Sequence, residues 1–166
     1  MPRVFLTSDT HFGHWGVCRF LRADGRKLRP WDNPEDMNRD MVELWNSAVG
    51  PKDKVYHLGD VVMDRKALDI MNYLNGDKVL IKGNHDIFKL EDYTPHFRDI
   101  RAYHVMNNLI LSHIPVHPDS KGRFNGNIHG HLHDRQLDDP FYINVCVENT
   151  GYRPILFEEV LRRLEK

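Results

Sequence analysis

The sequence predicts an α/β protein with two β-sheets and covering helices. In the first half of the chain, short apolar runs alternate with a helical pattern, which is typical of a parallel sheet with helices packed on it. In the second half, several strand-like runs follow one another, which indicates a second sheet that is partly antiparallel. The chain has 166 residues, 40% of them hydrophobic, which suits one compact domain with its own core.

The first half predicts three strands and a long amphipathic helix. The strands cover residues 4–6, 54–58 and 78–81. Asn33 and Pro34 are typical of a helix start, because asparagine caps the first free N–H groups and proline fits the first turn. The apolar residues that follow share one helical face: Met37, Met41, Leu44, Trp45 and Ala48.

Two segments lie between these elements. Residues 12–33 show little periodicity, which predicts a long loop with a short helix near residues 17–23. A second helix is predicted near residues 65–74, with Asp64 as its cap.

The second half predicts four strands and a final helix. The strands cover residues 100–106, 108–112, 127–130 and 141–147. Asn107 and Asn108 form a tight turn between the first two, and residues 115–126 form a loop rich in proline and glycine. The final amphipathic helix presents Phe157, Val160, Leu161 and Leu164.

Composition limits the classes of function. The formal net charge of -1 gives no general attraction to nucleic acid or membrane, so an anionic substrate must be held by a local patch or by metal. The two cysteines form no CxxC motif, and no apolar stretch reaches membrane-spanning length or resembles a signal peptide. We therefore expect a cytoplasmic protein that does not contact membranes.

Short polar motifs follow the ends of the predicted strands. They are Asp9-Thr10-His11, Gly59-Asp60, Gly83-Asn84-His85-Asp86, Ser112-His113 and Gly130-His131-Leu132-His133. Ligand sites in open α/β sheets lie beyond the carboxyl ends of the strands, so these motifs are expected to converge. Aspartate, asparagine and histidine are hard-to-borderline metal ligands. The pattern predicts a site for two divalent ions, which is suited to the hydrolysis of phosphate esters.

The spacing within two motifs supports this interpretation. Residues two apart point to the same side of an extended chain, so Asp9 and His11 are expected to aim at one cluster, as are His131 and His133. Asp60 supplies a carboxylate, which can bridge two cations. A single motif of this kind is more often an ordinary turn, but five motifs in succession favour a metal site.

These motifs, in this order, resemble the calcineurin-like metallophosphoesterase superfamily, whose pattern is D-x-H, G-D, G-N-H-[DE], H and G-H-x-H. The stretches at 8–14, 56–60 and 129–133 are similar to a small branch common in bacteria and phages, as are 143–145 and 152–154. The resemblance implies a single domain over residues 1–166, folded as a four-layer αββα sandwich of two mixed sheets flanked by helices.

The resemblance also implies a ligand assignment. The first ion is expected on Asp9, His11, Asp60 and His133, and the second on Asp60, Asn84, His113 and His131. These ligands favour Mn²⁺, with Fe²⁺, Zn²⁺ or Ni²⁺ as alternatives. The two ions are expected to lower the pKa of a shared water toward about 7, so that hydroxide attacks phosphorus in line.

Two residues of the third motif are candidates for catalysis. His85 is expected to protonate the departing oxygen as a general acid. Asp86 either orients His85 or caps the turn of the motif, and the sequence leaves both interpretations open. The expected activity is that of a phosphodiesterase on a nucleotide-type or other small phosphodiester. The alternatives are a phosphomonoesterase of the same fold and a non-catalytic interaction module.

Candidate substrate contacts lie mainly in the first loop. Residues 15–31 hold five basic residues against one acid, with three aromatic residues among them. One interpretation is a solvated basic loop; the other is a wall on which Arg26 and Arg29 bind phosphate and the aromatics bind a base or sugar, so that a nucleotide or nucleic acid fits. His14 and Asn84 are further candidates for substrate contact.

Other metal hydrolases fit less well. After His131 and His133, the residues 134–136 do not continue the β-lactamase-like pattern HxHxDH. Residues 59–65 have one residue too many and lack the last glycine of the G-D-x-V-D-R-G motif of protein phosphatases. The sequence says nothing about the oligomeric state.

Overall fold

The computed structural model describes residues 1–165 and confirms two mixed sheets with helices. The first sheet has five strands: β1 (Val4–Thr7), β2 (Lys54–His57), β3 (Asp77–Ile81), β4 (Asp99–Arg101) and β9 (Ile155–Leu156). Their order is β4-β3-β2-β1-β9, with β9 antiparallel to β1 and the other neighbours parallel.

The second sheet has four strands: β5 (His104–Met106), β6 (Leu109–Leu111), β7 (Gly126–His129) and β8 (Tyr142–Asn144). They lie in chain order, with β5 antiparallel to β6 and the other pairs parallel. Asn107 and Asn108 both have positive φ, as the tight turn between β5 and β6 requires.

Side chains of the first sheet alternate between two cores. On β1, Phe5 packs with the helical layer while Leu6 packs between the sheets, and Val55 and Tyr56 divide in the same way on β2. The core between the sheets also takes up residues of the second sheet and the final helix, among them Leu111, Ile128, Ile143, Phe157 and Val160. This alternation follows from the two-residue period of a strand.

Within residues 1–165, three α-helices complete the fold: α1 (Pro34–Ala48), α2 (Leu90–Tyr93) and α3 (Phe157–Leu164). The start of α1 is as the sequence predicts, because the side chain of Asn33 accepts the N–H of Asp36 at 2.8 Å. Met37, Met41 and Trp45 are buried on the inner face of α1. None of the helices within residues 1–165 is long and apolar enough to cross a bilayer.

Several predicted elements differ from the structure. The strand predicted over 100–106 is two strands, because β4 pairs with β3 whereas β5 pairs with β6 in the other sheet. The helix predicted near 65–74 is a 3₁₀ helix, Arg65–Tyr73, with Asp64 as the expected cap. The short helix predicted near 17–23 is one 3₁₀ turn, Gly16–Cys18.

The polar motifs follow the carboxyl ends of five strands drawn from both sheets. Asp9, Asp60 and Asn84 come shortly after β1, β2 and β3, while His113 and His131 come shortly after β6 and β7. The sheets therefore present all five motifs at one common edge.

Candidate metal centre

Five of the candidate ligands have a left-handed backbone: Asp9, His11, Asp60, His131 and His133, with φ between 47° and 70°. The expectation that the D-x-H and H-x-H pairs lie on extended chain is therefore wrong. The pairs converge through tight turns after the strands. Left-handed non-glycine residues cost about 1–3 kcal/mol each and cluster at functional sites.

Asp9, His11 and His133 form the first cluster. The Oδ1 atom of Asp9 lies 3.6 Å from Nε2 of His11 and 3.9 Å from Nε2 of His133. Asp9 and His11 are buried, whereas His133 is partly exposed.

Asp60, His113 and His131 form the second cluster. The Oδ2 atom of Asp60 lies 3.3 Å from Nε2 of His113. The amide oxygen of Asn84 lies 2.8 Å from Nε2 of His113 and 2.9 Å from Nδ1 of His131, so it faces the same point.

The two clusters meet at Asp60. Its Oδ2 atom, close to His113, also lies 3.6 Å from Nε2 of His11 in the first cluster. Ligand atoms about 2.1 Å from a tetrahedral or octahedral ion are separated by about 3.0–3.4 Å, which is close to these spacings.

Buried atoms without partners show that the residues fit a cation. Among residues 1–165, Oδ1 of Asp9 and both ring nitrogens of His11 are buried without a hydrogen bond. Such orphaned groups typically cost about 1–3 kcal/mol each, and a divalent cation between them would remove that penalty. The oxygen and imidazole donors match the chemistry of Mn²⁺, Fe²⁺ or Zn²⁺.

The charges of the clusters favour ion binding. Burial alone would raise the pKa of Asp9, but the close approach of His11 and the charges of His113 and His133 lower that pKa far below the usual range. Burial lowers the pKa of His11, so its ring is neutral at neutral pH. Despite burial, the contact with Asp60 raises the pKa of His113 and the contact with Glu148 raises that of His133, so each ring has a carboxylate partner that stabilises positive charge on it.

The G-N-H-D loop is held against the second motif by Asp86. Its carboxylate accepts the backbone N–H groups of Asp60 at 2.8 Å, Val61 at 3.0 Å and Gly83 at 2.7 Å. A Cβ atom on Gly83 would lie 2.6 Å from the backbone nitrogen of Asp60 and would overlap its carboxylate. The hydrogen bonds of Asp86 therefore match the capping interpretation.

His85 is solvent-exposed and lies beside the first cluster. Its ring centroid is 5.8 Å from that of His11, and its backbone N–H donates to Oδ1 of Asp60 at 2.8 Å. The carboxylate shared by the two clusters thus also fixes the backbone of His85.

The candidate substrate contacts divide into three cases. The ring of His14 lies 5.5 Å from that of His11, and burial lowers its pKa to about 4. Arg26 is exposed and pairs with Asp24 at 2.7 Å, at the tip of its loop. The prediction for Arg29 is wrong, because its side chain is 0% exposed and cannot reach a substrate.

Sequence reasoning missed Glu148. Its Oε1 atom lies 2.9 Å from Nδ1 of His133. His113 has a comparable partner, since its Nδ1 lies 2.7 Å from the carbonyl oxygen of Leu58. Each contact leaves Nε2 of the ring turned to the clusters. No spacing in the sequence marks Glu148, because it belongs to none of the motifs.

The protein has two mixed sheets, and two aspartate–histidine clusters lie side by side beyond the carboxyl ends of their strands. This combination is typical of metallophosphoesterase-like proteins. The chain belongs to the calcineurin-like phosphoesterase family, whose profile matches residues 2–162. An uncharacterised protein of Methanocaldococcus jannaschii is 34% identical over 180 residues, covering 100% of this chain and 93% of the relative.

The chain is also similar to a phage protein and to a protein of known structure. The Gene 66 protein of Mycobacterium phage D29 is 38% identical over 91 residues, covering 52% of this chain and 41% of the phage protein. The crystal structure of a protein of unknown function from Aquifex aeolicus has a TM-score of 0.72 at 25% identity, covering 98% of this chain and 99% of that one.

Proposed function

We propose that the protein is a metal-dependent phosphodiesterase that acts on a nucleotide-type or other small phosphodiester. The observation that carries this proposal is the pair of clusters that share the carboxylate of Asp60. The first ion would be held by Asp9, His11, Asp60 and His133, and the second by Asp60, Asn84, His113 and His131. Mn²⁺ is the metal we favour.

Two bound cations would supply positive charge for the phosphoryl group and a nucleophile at neutral pH. The protein's own contribution is to fix the ligands before substrate arrives. His85, exposed and tied to Asp60 through its backbone, donates a proton to the departing oxygen. Asp86 supports this step indirectly, since it holds the loop that carries His85.

The preference for a nucleotide-type diester is supported by the surface next to His14. The ring of Phe20 lies 5.9 Å from that of His14, and Phe20 and Trp15 are 53% and 48% exposed. The guanidinium of Arg19 lies 5.2 Å from the ring of Trp15. Aromatic side chains of this kind stack on bases, and an arginine adds attraction for phosphate. With Arg29 buried, these residues replace it as candidate substrate contacts.

The test is a panel of substrates assayed with Mn²⁺: cyclic nucleotides, dinucleotides, linear oligonucleotides and monoesters. We expect hydrolysis of diesters with a nucleoside to be fastest. A preference for monoesters throughout would favour a phosphomonoesterase and overturn the diester proposal. No turnover with metal bound would leave only an interaction module on this scaffold.

The variant His85→Ala tests the acid role. We expect kcat to fall by about 10²–10⁴-fold on substrates with poor leaving groups and much less on aryl esters, whose leaving groups need no proton. Metal content, measured by elemental analysis, should stay unchanged. His117→Ala, at an exposed histidine outside the clusters, is the matched control. Full activity of His85→Ala on poor leaving groups would exclude the acid role.

A further inference from the structure

A buried ion pair lies behind the first cluster. The side chains of Arg29 and Glu148 are both 0% exposed, and Nη2 of Arg29 lies 2.9 Å from Oε1 of Glu148. The two residues are 119 positions apart in sequence, and Nε of Arg29 makes a second contact with the same oxygen at 3.0 Å.

Two further N–H donors of Arg29 are directed at the first motif. Its Nη1 donates to the carbonyl oxygen of Thr10 at 2.7 Å and its Nη2 to that of Asp9 at 2.5 Å. These carbonyls belong to the tight turn that carries the ligands Asp9 and His11. The planar fork of arginine suits such a set of acceptors, which lysine could not satisfy together.

Glu148 acts on the other side of the same cluster. Its Oε1 atom, which accepts from Arg29, also lies 2.9 Å from Nδ1 of His133. A carboxylate in this position fixes the tautomer and orientation of a metal-binding histidine and raises its basicity. A buried carboxylate is stable only when its charge is compensated, and Arg29 provides that compensation.

We propose that Arg29 and Glu148 are positioning residues for the first metal ion. Glu148 aims Nε2 of His133 at the cluster, and Arg29 fixes both Glu148 and the turn that carries Asp9 and His11. The inference rests on the metal centre of the proposed function. It also explains why an arginine in a basic, substrate-like loop is buried instead of facing the opening.

The test is metal binding by the apo-protein of three variants. Glu148→Gln keeps an acceptor of similar shape but removes the charge. Because it leaves Arg29 as an unpaired buried charge, the double variant Arg29→Met with Glu148→Gln is prepared as well. The control is Asp53→Asn, which removes an ion pair with Arg3 outside the clusters.

Mn²⁺ affinity is measured by titration calorimetry, and bound manganese by elemental analysis and electron paramagnetic resonance. We expect the wild type to bind two ions with a coupled dinuclear signal. Both Glu148 variants should bind one ion normally and the other about 10–100-fold more weakly, and so lose the coupled signal. Asp53→Asn should melt at a lower temperature yet keep both ions, which separates positioning from general stability.

Two coupled ions of wild-type affinity in the folded double variant would overturn the inference and leave the proposed function standing. If Glu148→Gln alone fails to fold, the double variant still decides the question. A wild-type chain that binds none of Mn²⁺, Fe²⁺ and Zn²⁺ would overturn the proposed function itself.

Discussion

Asp60 is the side chain on which the geometry of both clusters depends. One of its oxygens faces His11 and His113, and the other accepts the backbone N–H of His85. Both oxygens of this single carboxylate are therefore engaged at the site. A neutral amide in its place would offer a weaker ligand and lose a negative charge between two cations.

We expect Asp60→Asn to weaken manganese binding at both sites. Loss of an outer partner of a metal ligand typically costs about 10–100-fold in affinity, and loss of the bridging ligand should exceed this. Calorimetric titration of the apo-protein with Mn²⁺ measures the effect. Asp69→Asn, at an exposed carboxylate outside the clusters, is the control. Unchanged binding of two ions by Asp60→Asn would contradict the shared role.

The sequence predicts residues such as Asp60 and His113 well, because each lies in a short motif whose residue types carry the chemistry. The sequence does not predict the roles of Arg29 and Glu148, and the reason is physical. Whether an arginine in an irregular loop faces solvent or a buried carboxylate depends on contacts with a segment 119 positions away. Neither residue shows a periodicity or spacing that reveals this.

At the scale of elements, the loop after β3 joins two motifs. Asp86 accepts backbone N–H groups of both Asp60 and Gly83, and the lack of a side chain on Gly83 allows these two backbone segments to approach closely. A glycine is thus needed at position 83 because a side chain would collide with Asp60, and not because the backbone there needs a conformation that only glycine adopts.

We expect Gly83→Ala to separate the third motif from Asp60 and to lower manganese affinity by at least about tenfold, since Asn84 would move with the loop. The control is Gly25→Ala. Gly25 has φ of +83° with no atom within 4 Å of its added Cβ, so that variant is strained but far less crowded. Calorimetric titration with Mn²⁺ compares them. Equal metal affinity in the two variants would show that the close approach is dispensable.

The elements that sequence reasoning misjudged share a cause. The run over 100–106 is strand-like in composition along its whole length, but composition does not indicate which sheet a strand joins. Likewise, the H-x-H spacing is compatible with an extended chain and with a left-handed turn. The choice is made by tertiary contacts, such as the N–H of His131 donating to Asp9 at 2.9 Å.

At the scale of the whole molecule, an ion pair ties the first strand to the second. Asp53 accepts the backbone N–H of Arg3 at 2.9 Å and that of Gly50 at 2.8 Å, and it pairs with the guanidinium of Arg3 at 2.6 Å. The hydrogen bond from the Arg3 side chain, with these backbone bonds, lowers the pKa of Asp53 to about 2.

This shift predicts a pH-dependent contribution to stability. Because the folded-state pKa is below the usual value of 3.8, the contribution is complete above about pH 4 and is lost as the pH falls toward 2. We expect Asp53→Asn to melt at a lower temperature than the wild type at pH 7, with the difference shrinking between pH 4 and pH 2. Asp138→Asn, at an exposed carboxylate, is the control. A difference independent of pH would exclude this linkage.

Each cluster takes ligands from both sheets, and each needs a histidine from the G-H-x-H motif late in the chain. During synthesis, a chain that has emerged only as far as β6 carries Asp9, His11, Asp60 and Asn84 but lacks His131 and His133. Neither cluster can be complete until the segment that follows β7 has left the ribosome. The metal binding that we propose would therefore have to follow the synthesis of the G-H-x-H motif.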